Sequence, residues 1–138
     1  MHGVPVSLKD QFHVKYAETN MGCVSWVGTF EGAQGTGREF HDQSQLVEEL
    51  HSLGAVLYCK TSGPQTLLLG ETVNNIIDRT MNPVNRLLSC GSSSGGEGAL
   101  LALGASNVGV GTDIGKHIPA KIPPFRLARM PLTIVGVE

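Results

Sequence analysis

A helix, a glycine and an apolar run follow one another over residues 42–59, and this order constrains the fold more than any other feature. The leucines and the valine of Asp42–Leu53 share one helical face, and Asp42 supplies a capping-box-like start. Gly54 suits the helix end, and the continuous apolar run Ala55–Cys59 predicts a buried strand. A helix that returns through a glycine to a buried strand is half of a parallel αβα unit, so we predict an α/β fold.

Three further strands and a second helix are predicted on either side of this unit. Val4–Leu8 alternates apolar residues with small or polar ones, and Asn107–Gly111 is a second short apolar segment. The run ALLALGAS predicts a short helix that ends near Gly104, and Leu132–Val137 predicts a last strand. Residues 61–92 contain many turn signals, so we expect an ordered long loop with short helical turns.

Composition and charge exclude several classes of protein. The chain has 138 residues, a length typical of one domain, and its 41% of hydrophobic residues do not fit a disordered chain. Its 10 basic and 12 acidic residues leave a formal charge of −2, so nothing electrostatic favours nucleic acid or an anionic membrane as partner. No apolar stretch approaches the ~20 residues of a membrane span. We therefore expect no nucleic acid and no membrane span.

The cysteines and histidines predict no metal site. The cysteines are odd in number and widely spaced, which disfavours both a disulfide framework and a zinc site. Four histidines show no metal-ligand spacing and are interpreted as surface residues: His2, His13, His41 and His51. Cysteines of this kind are typical of a reducing compartment, and we expect a cytoplasmic location.

Two glycine-rich turns are the candidate chemical features. Gly91–Gly98 reads GSSSGGEG before the second predicted helix, where glycines allow close backbone approach and the amides favour an anion or a developing oxyanion. Gly109–Gly115 follows a predicted strand and can present successive N–H groups to an oxyanion. An ordinary flexible turn and a strand-end turn remain open as alternatives. The segment 91–98 fits neither a Walker loop nor a dinucleotide-binding fingerprint.

Taken in order, three motifs resemble the amidase signature family. They are GVPVSLKD at 3–10, GSSSGGEGALLALG at 91–104 and GVGTDIG at 109–115. The segments 60–65 and 74–83 are similar to the fungal acetamidase-like and fatty-acid-amide-hydrolase-like branch. The resemblance covers 3–115 and implies part of an α/β/α sandwich around a large, twisted, mixed sheet. We interpret residues 1–138 as one partial amidase-like domain, with 116–138 as a divergent tail.

The resemblance also implies a reaction and a set of site residues. Family members hydrolyse carboxylic amides through an acyl-serine intermediate, with a Ser–Ser–Lys triad, and need no cofactor. By position, Lys9 is the implied base and Ser93 the bridging serine, held in a cis peptide. The implied supporting residues are Ser94, Thr112 and Asp113. The implied oxyanion-hole residues are Ile114, Gly115 and Lys116. Asp113 and Glu97 are interpreted as structural partners of loop amides.

The sequence departs from the family pattern at the nucleophile. The family continues Gly-Thr-Asp-Ile-Gly-Gly-Ser, whereas here Lys116 and His117 follow the glycine, so His117 occupies the nucleophile position. Family members are also several-fold longer, and we expect a fragment or shortened homologue. We therefore expect weak or absent hydrolysis of a small-molecule amide. The alternative is a non-catalytic ligand-binding or regulatory module, which could self-associate or pair with a full-length amidase.

Overall fold

Four strands form a parallel sheet with a helix on each face. The computed structural model describes residues 1–112 and 133–134. The strands of the sheet follow the order Val56–Thr61 (β2), Pro5–Lys9 (β1), Val108–Gly111 (β5) and Thr133–Ile134 (β6). All three pairings in this sheet are parallel, so the antiparallel pairs of a mixed sheet are not found among its described strands. The predicted α/β class is confirmed. The elements are β1 Pro5–Lys9, α1 Gln45–Ser52, β2 Val56–Thr61, β3 Val73–Asn74, β4 Asp78–Arg79, α2 Gly95–Ala102, β5 Val108–Gly111 and β6 Thr133–Ile134.

Strand β1 is buried on both faces, and its side chains alternate between two different environments. Val6 and Leu8 point to one face, where they pack with Val47 and Leu50 of α1 in the apolar core. Ser7 and Lys9 point to the opposite face, where their side chains reach α2 and the residues just before it. All four β1 side chains are fully buried. The sheet therefore has an apolar layer on one side and a polar layer on the other.

The first helix is shorter than its sequence pattern predicts. It begins at Gln45 rather than at Asp42, because the Asp42 carboxylate accepts a hydrogen bond from Arg38 Nε at 2.8 Å instead of capping the helix. The residue at the helix start, Ser44, is also engaged elsewhere, since its hydroxyl accepts a hydrogen bond from the backbone N–H of His13. The predicted apolar face is real: Val47 and Leu50 are the buried residues of α1.

Strand β2 differs from the buried strand that its apolar run predicts. Val56 and Tyr58 are about half exposed, because β2 lies at one edge of the described sheet. The strand also continues two residues further, to Thr61. Lys60 near its end binds Asp10 at 3.0 Å, and burial lowers the pKa of the Lys60 amine. This ion pair attaches the loop that follows β1 to β2.

The segment 61–92 contains more structure than the predicted loop. A helical turn at Gln65–Leu67 agrees with the prediction, but a small antiparallel hairpin of β3 and β4 follows it. Strands of two residues leave no readable alternation in a sequence, which explains why the hairpin is missed. Of the predicted last strand, only β6 lies within the described residues.

Candidate active site

The start of α2 is pressed against the carboxyl end of the sheet. The N–H of Gly95 donates to Thr72 Oγ1 at 2.9 Å, and that hydroxyl donates to the carbonyl of Ser92 at 2.8 Å. A Cβ at Gly95 would overlap the Cys90 sulfur, and one at Gly96 would overlap the carbonyl oxygen of Ser62. The glycines of the GSSSGGEG run are therefore needed for close packing, and α2 begins inside that run.

Lys9 extends from the end of β1 to the turn before α2. Its Nζ donates to Ser93 Oγ at 3.0 Å and to Thr112 Oγ1 at 2.9 Å. Lys9 is fully buried and Ser93 is 8% exposed. A Cβ at Gly63 would lie 3.3 Å from Lys9 Cε, so a small residue at this position leaves room for the lysine stem. An amine and a hydroxyl in direct contact can exchange a proton.

Thr112 and Ser94 join the end of β5 to the start of α2. The Thr112 hydroxyl accepts from Lys9 and donates to Gln11 Oε1 at 2.6 Å. The Ser94 hydroxyl donates to the Thr112 carbonyl at 2.9 Å and accepts from the Thr112 N–H at 3.1 Å. The loop carrying the serines is therefore held to β5 by two hydrogen bonds, while Lys9 bonds to residues on both segments.

Glu97 lies beneath this cluster with both carboxylate oxygens engaged. Ser7 donates to Oε2 and Thr61 donates to Oε1, each at 2.6 Å. The side chain is fully buried, and burial raises the pKa of Glu97, against the hydrogen bonds from Ser7 and Thr61 that lower it. The sequence-based interpretation of Glu97 as a partner of loop amides is wrong, because its partners are hydroxyl groups of two strands.

The structure brings together four of the residues that the sequence assigns to a site: Lys9, Ser93, Ser94 and Thr112. The others lie outside the described residues: Asp113, Ile114, Gly115, Lys116 and His117. The cis peptide expected at the bridging serine is not found, since every peptide bond among the described residues is trans. The chain bends before Ser93 at Ser92, which has a φ of 59°.

Comparison with known proteins establishes the family of this chain. The family model named Amidase matches residues 1–120, nearly the whole described part of the chain. The chain belongs to the amidase family. It is 51% identical over 118 residues to an acetamidase of Emericella nidulans, and 52% identical over 118 residues to an acetamidase of Aspergillus oryzae. Each match covers 86% of this chain but 20% of the relative, so the chain spans about a fifth of their length.

A solved structure gives the same family likeness in three dimensions. A fatty acid amide hydrolase is 41% identical, with a TM-score of 0.61 over 76% of this chain and 17% of that one. The match supports the prediction of an amidase-signature α/β fold, made from the motifs at 3–10, 91–104 and 109–115.

Within the amidase fold, sequence reasoning missed the polar residues that surround Lys9 and Ser93. Ser7 carried a readable signal, because it shares the strand face of Lys9 at a spacing of two residues. Thr61, Thr72 and Gln11 carried none, since each reaches the cluster from a segment that only the tertiary fold brings close.

Three other features of the described residues concern metal binding, membrane spanning and the cysteine thiols. Residues 1–112 and 133–134 contain no cluster of three or more histidine, cysteine or acidic side chains able to hold a metal ion. No helix within those residues is long and apolar enough to cross a membrane. Cys23, Cys59 and Cys90 are all unpaired, and burial raises the pKa of the Cys59 and Cys90 thiols.

Proposed function

We propose that this chain carries the base and relay of an amidase centre, whose chemistry is hydrolysis of carboxylic amides through an acyl-enzyme. The observation that carries the proposal is the 3.0 Å hydrogen bond between Lys9 Nζ and Ser93 Oγ, buried at the junction of β1 and α2. Two relatives named acetamidase support the substrate class, because they share about half of their residues with this chain over the matched fifth of their length.

In this proposal Ser93 relays protons between Lys9 and a nucleophile. The reaction requires Lys9 to be neutral at rest, so that the Ser93 hydroxyl can turn its proton towards the lone pair of Nζ. As the nucleophile attacks the amide carbonyl, its proton passes to Ser93 Oγ while the Ser93 proton passes to Lys9 Nζ. The relay then runs backwards and delivers the proton to the leaving nitrogen as the C–N bond breaks. Thr112 accepts a hydrogen bond from Lys9, so it holds the amine in line with Ser93 throughout.

The chain does not complete this reaction by itself, because His117 occupies the nucleophile position by alignment with the family motif. An imidazole ring is larger than a serine hydroxymethyl group, and Lys116 replaces a glycine beside it. The family resemblance assigns Ile114, Gly115 and Lys116 to the oxyanion hole and gives Asp113 a supporting role. The natural chain is therefore expected to show no turnover of short aliphatic or aryl amides, measured as ammonia or amine release.

A fluorophosphonate probe tests the proposal directly. Replacing Lys116→Gly together with His117→Ser rebuilds the family loop, and the double variant is expected to react with the probe at residue 117, located by peptide mass spectrometry. The natural chain should stay unlabelled at that residue. Equal labelling of both proteins would contradict the assignment. Adding Ser52→Ala to the double variant is the control, and labelling at residue 117 should stay the same. Ser52 is an exposed serine on α1, so the substitution removes a hydroxyl far in sequence from the cluster.

A second candidate is a non-catalytic module that binds another polypeptide. Several large apolar side chains between residues 68 and 88 are exposed, with Leu87 at 92% and Leu68 at 74%. Exposed apolar clusters favour association. Light scattering of dilute protein, alone and mixed with a full-length acetamidase relative, tests both self-association and pairing. A sharp thermal melt from a strictly monomeric chain, with no association when the acetamidase relative is added, would contradict this candidate.

A cytoplasmic location forms part of the same proposal. All three cysteines are unpaired, and two of them are buried, as expected of thiols kept in a reducing compartment. Fluorescence microscopy of a tagged chain in its host cell tests the location. Fluorescence confined to an oxidising compartment would contradict it.

A further inference from the structure

The buried Glu97 bridges β1, which carries Lys9, and the neighbouring strand β2. Its Oε2 accepts from Ser7 of β1 and its Oε1 accepts from Thr61 of β2, each at 2.6 Å. Ser7 lies two residues before Lys9 on the same strand face, and Thr61 is the register partner of Lys9. The two hydroxyls that bind Glu97 are therefore the immediate neighbours of the lysine.

Glu97 also belongs to the helix that positions Ser93. It lies in the first turn of α2, four residues after Ser93. The start of the helix is therefore joined to β1 by two side-chain hydrogen bonds, one between Lys9 and Ser93 and the other between Ser7 and Glu97. A shift of α2 along β1 would change both contacts together. The geometry of one contact is thus coupled to the other through a short rigid segment.

The space around the Glu97 carboxyl leaves it little freedom to move. A Cβ at Gly109 would overlap Oε2 and would lie 3.2 Å from the Ser7 hydroxyl, so β5 supports the carboxyl from below. The Ser7 hydroxyl also lies 3.0 Å from Ser106 Oγ, which donates to the Val108 carbonyl at 2.8 Å. The carboxyl is part of a closed network of hydrogen bonds that contacts β1, β2 and β5.

We propose that Glu97 is a positioning residue for the Lys9–Ser93 pair, which it holds at hydrogen-bonding distance by fixing α2 against β1 and β2. This inference rests on the proposed function, because it concerns the pair to which that function assigns the relay. Glu97 does not touch the reacting atoms. It acts through the strands on one side and through the helix start on the other. A misplacement of about 1 Å in such a site can cost about 100-fold in rate.

The test compares a matched pair of variants by NMR of the Lys9 side chain in the full chain, so it needs no turnover. Glu97→Gln keeps the shape, and its amide can donate to Ser7, which then donates to Ser106. Glu97→Ala removes both contacts. Glu97→Ala is expected to move the Lys9 Cε and Nζ resonances in the direction seen in Ser93→Ala, whereas Glu97→Gln leaves them near those of the parent.

A structural control separates positioning from general destabilisation. Leu101→Ala removes a buried apolar side chain from the same helix. It should lower the melting temperature without moving the Lys9 resonances. A folded Glu97→Ala chain with the Lys9 resonances of the parent would overturn the proposal, and so would Glu97→Gln shifts as large as those of Glu97→Ala. If Glu97→Ala fails to fold, Ser7→Ala combined with Thr61→Val removes the same two hydrogen bonds and is judged by the same criteria.

Kinetics in the Lys116→Gly, His117→Ser background distinguish this proposal from the proposed function. Glu97→Ala should lower kcat by roughly 10- to 100-fold with little change in KM, and Glu97→Gln should restore most of it. If the double variant is inactive but its Lys9 resonances still depend on Glu97, the proposed function is wrong and the positioning role stands. If the double variant is active and Glu97→Ala does not change its kcat, the positioning role is wrong and the proposed function stands.

Discussion

The two faces of β1 are equally buried, but one makes apolar contacts and the other makes hydrogen bonds. Val6 and Leu8 pack against α1 in an apolar core, whereas Ser7 and Lys9 form hydrogen bonds with α2 and the turn before it. Apolar contacts are non-directional and depend mainly on volume. Hydrogen bonds require fixed distances and angles. The α1 face therefore supplies stability, and the α2 face supplies geometry.

This difference explains why a strand this short can serve both purposes. Burying polar groups costs free energy unless every donor and acceptor is matched. On the α2 face the cost is limited because Ser7, Lys9 and Glu97 all have partners. Within the described residues, the unpartnered buried side-chain atom is Asn20 Oδ1, which belongs to the loop after β1.

The sharpest way to separate the faces is Lys9→Met, which keeps volume and removes the amine. In the nucleophile-restored chain, probe labelling should slow by about 100- to 10,000-fold, because the base is lost. The free energy of unfolding should change by less than about 2 kcal/mol, because the loss of the two hydrogen bonds of the amine is offset by no longer burying a polar group. Mass spectrometry and urea unfolding measure the two effects. Unchanged labelling would contradict the role of Lys9.

The opposite face is tested by Leu8→Ala, which should lower the free energy of unfolding by about 2–5 kcal/mol. Leu8 is fully buried, so its truncation removes apolar contacts and leaves a cavity. Urea unfolding followed by circular dichroism measures the loss. Leu103→Ala is the matched control, since Leu103 is 66% exposed and should cost no more than about 0.5 kcal/mol. Equal losses in the two variants would place Leu8 outside the core.

Close packing beneath the polar face is tested by Gly109→Ala. The added methyl overlaps the Glu97 carboxylate, so we expect a loss of about 1–3 kcal/mol in unfolding free energy. Thermal and urea melts measure it. Gly70→Ala is the control, because nothing lies within 4 Å of a Cβ at that position and no left-handed φ is involved. A Gly109→Ala chain as stable as Gly70→Ala would show that the carboxyl moves freely.

The smallest expected effect is a pH trend in Glu97→Gln. Burial raises the pKa of Glu97 in the folded chain above its ordinary value of 4.5, so the folded state holds this proton more tightly than the unfolded state. The stabilisation that the Glu97 proton gives the natural chain is therefore fully present when the pH is below that ordinary value. It is lost as the pH rises through the pKa that Glu97 has in the folded chain. Glu97→Gln lacks this loss, so its stability relative to the parent should increase from pH 4 towards neutrality.

Urea unfolding at several pH values measures this trend. Glu48→Gln, at an exposed glutamate on α1, is the matched control. A trend of equal size in Glu48→Gln would show that burial of Glu97 is not its cause.

Much of the fold was predictable because it depends on local patterns. The apolar spacing of 46–53 and the glycine that follows locate α1 to within a few residues. The alternation of 4–8 does the same for β1. The boundaries of α1 and α2 were not predictable. Asp42 is engaged by Arg38 instead of capping α1, and the glycines at 95 and 96 are helical because close packing stabilises them there.

For the candidate site, motif resemblance predicted residues but not their support. Lys9, Ser93, Ser94 and Thr112 were named from the sequence, and the structure brings these four together. The contacts of Glu97 with Ser7 and Thr61 were not foreseen, because they link residues 90 and 36 positions apart in the chain.

The sequence by itself determined the class of fold, the family and the identity of the amine and the hydroxyl that meet. Periodicity and motif order are local properties that any reader of the chain can recognise. Only the tertiary structure decided that α1 covers the face of β1 formed by Val6 and Leu8, and that α2 and the turn before it cover the opposite face. Parallel strands are joined through long connections, so distant segments meet only after the sheet has formed.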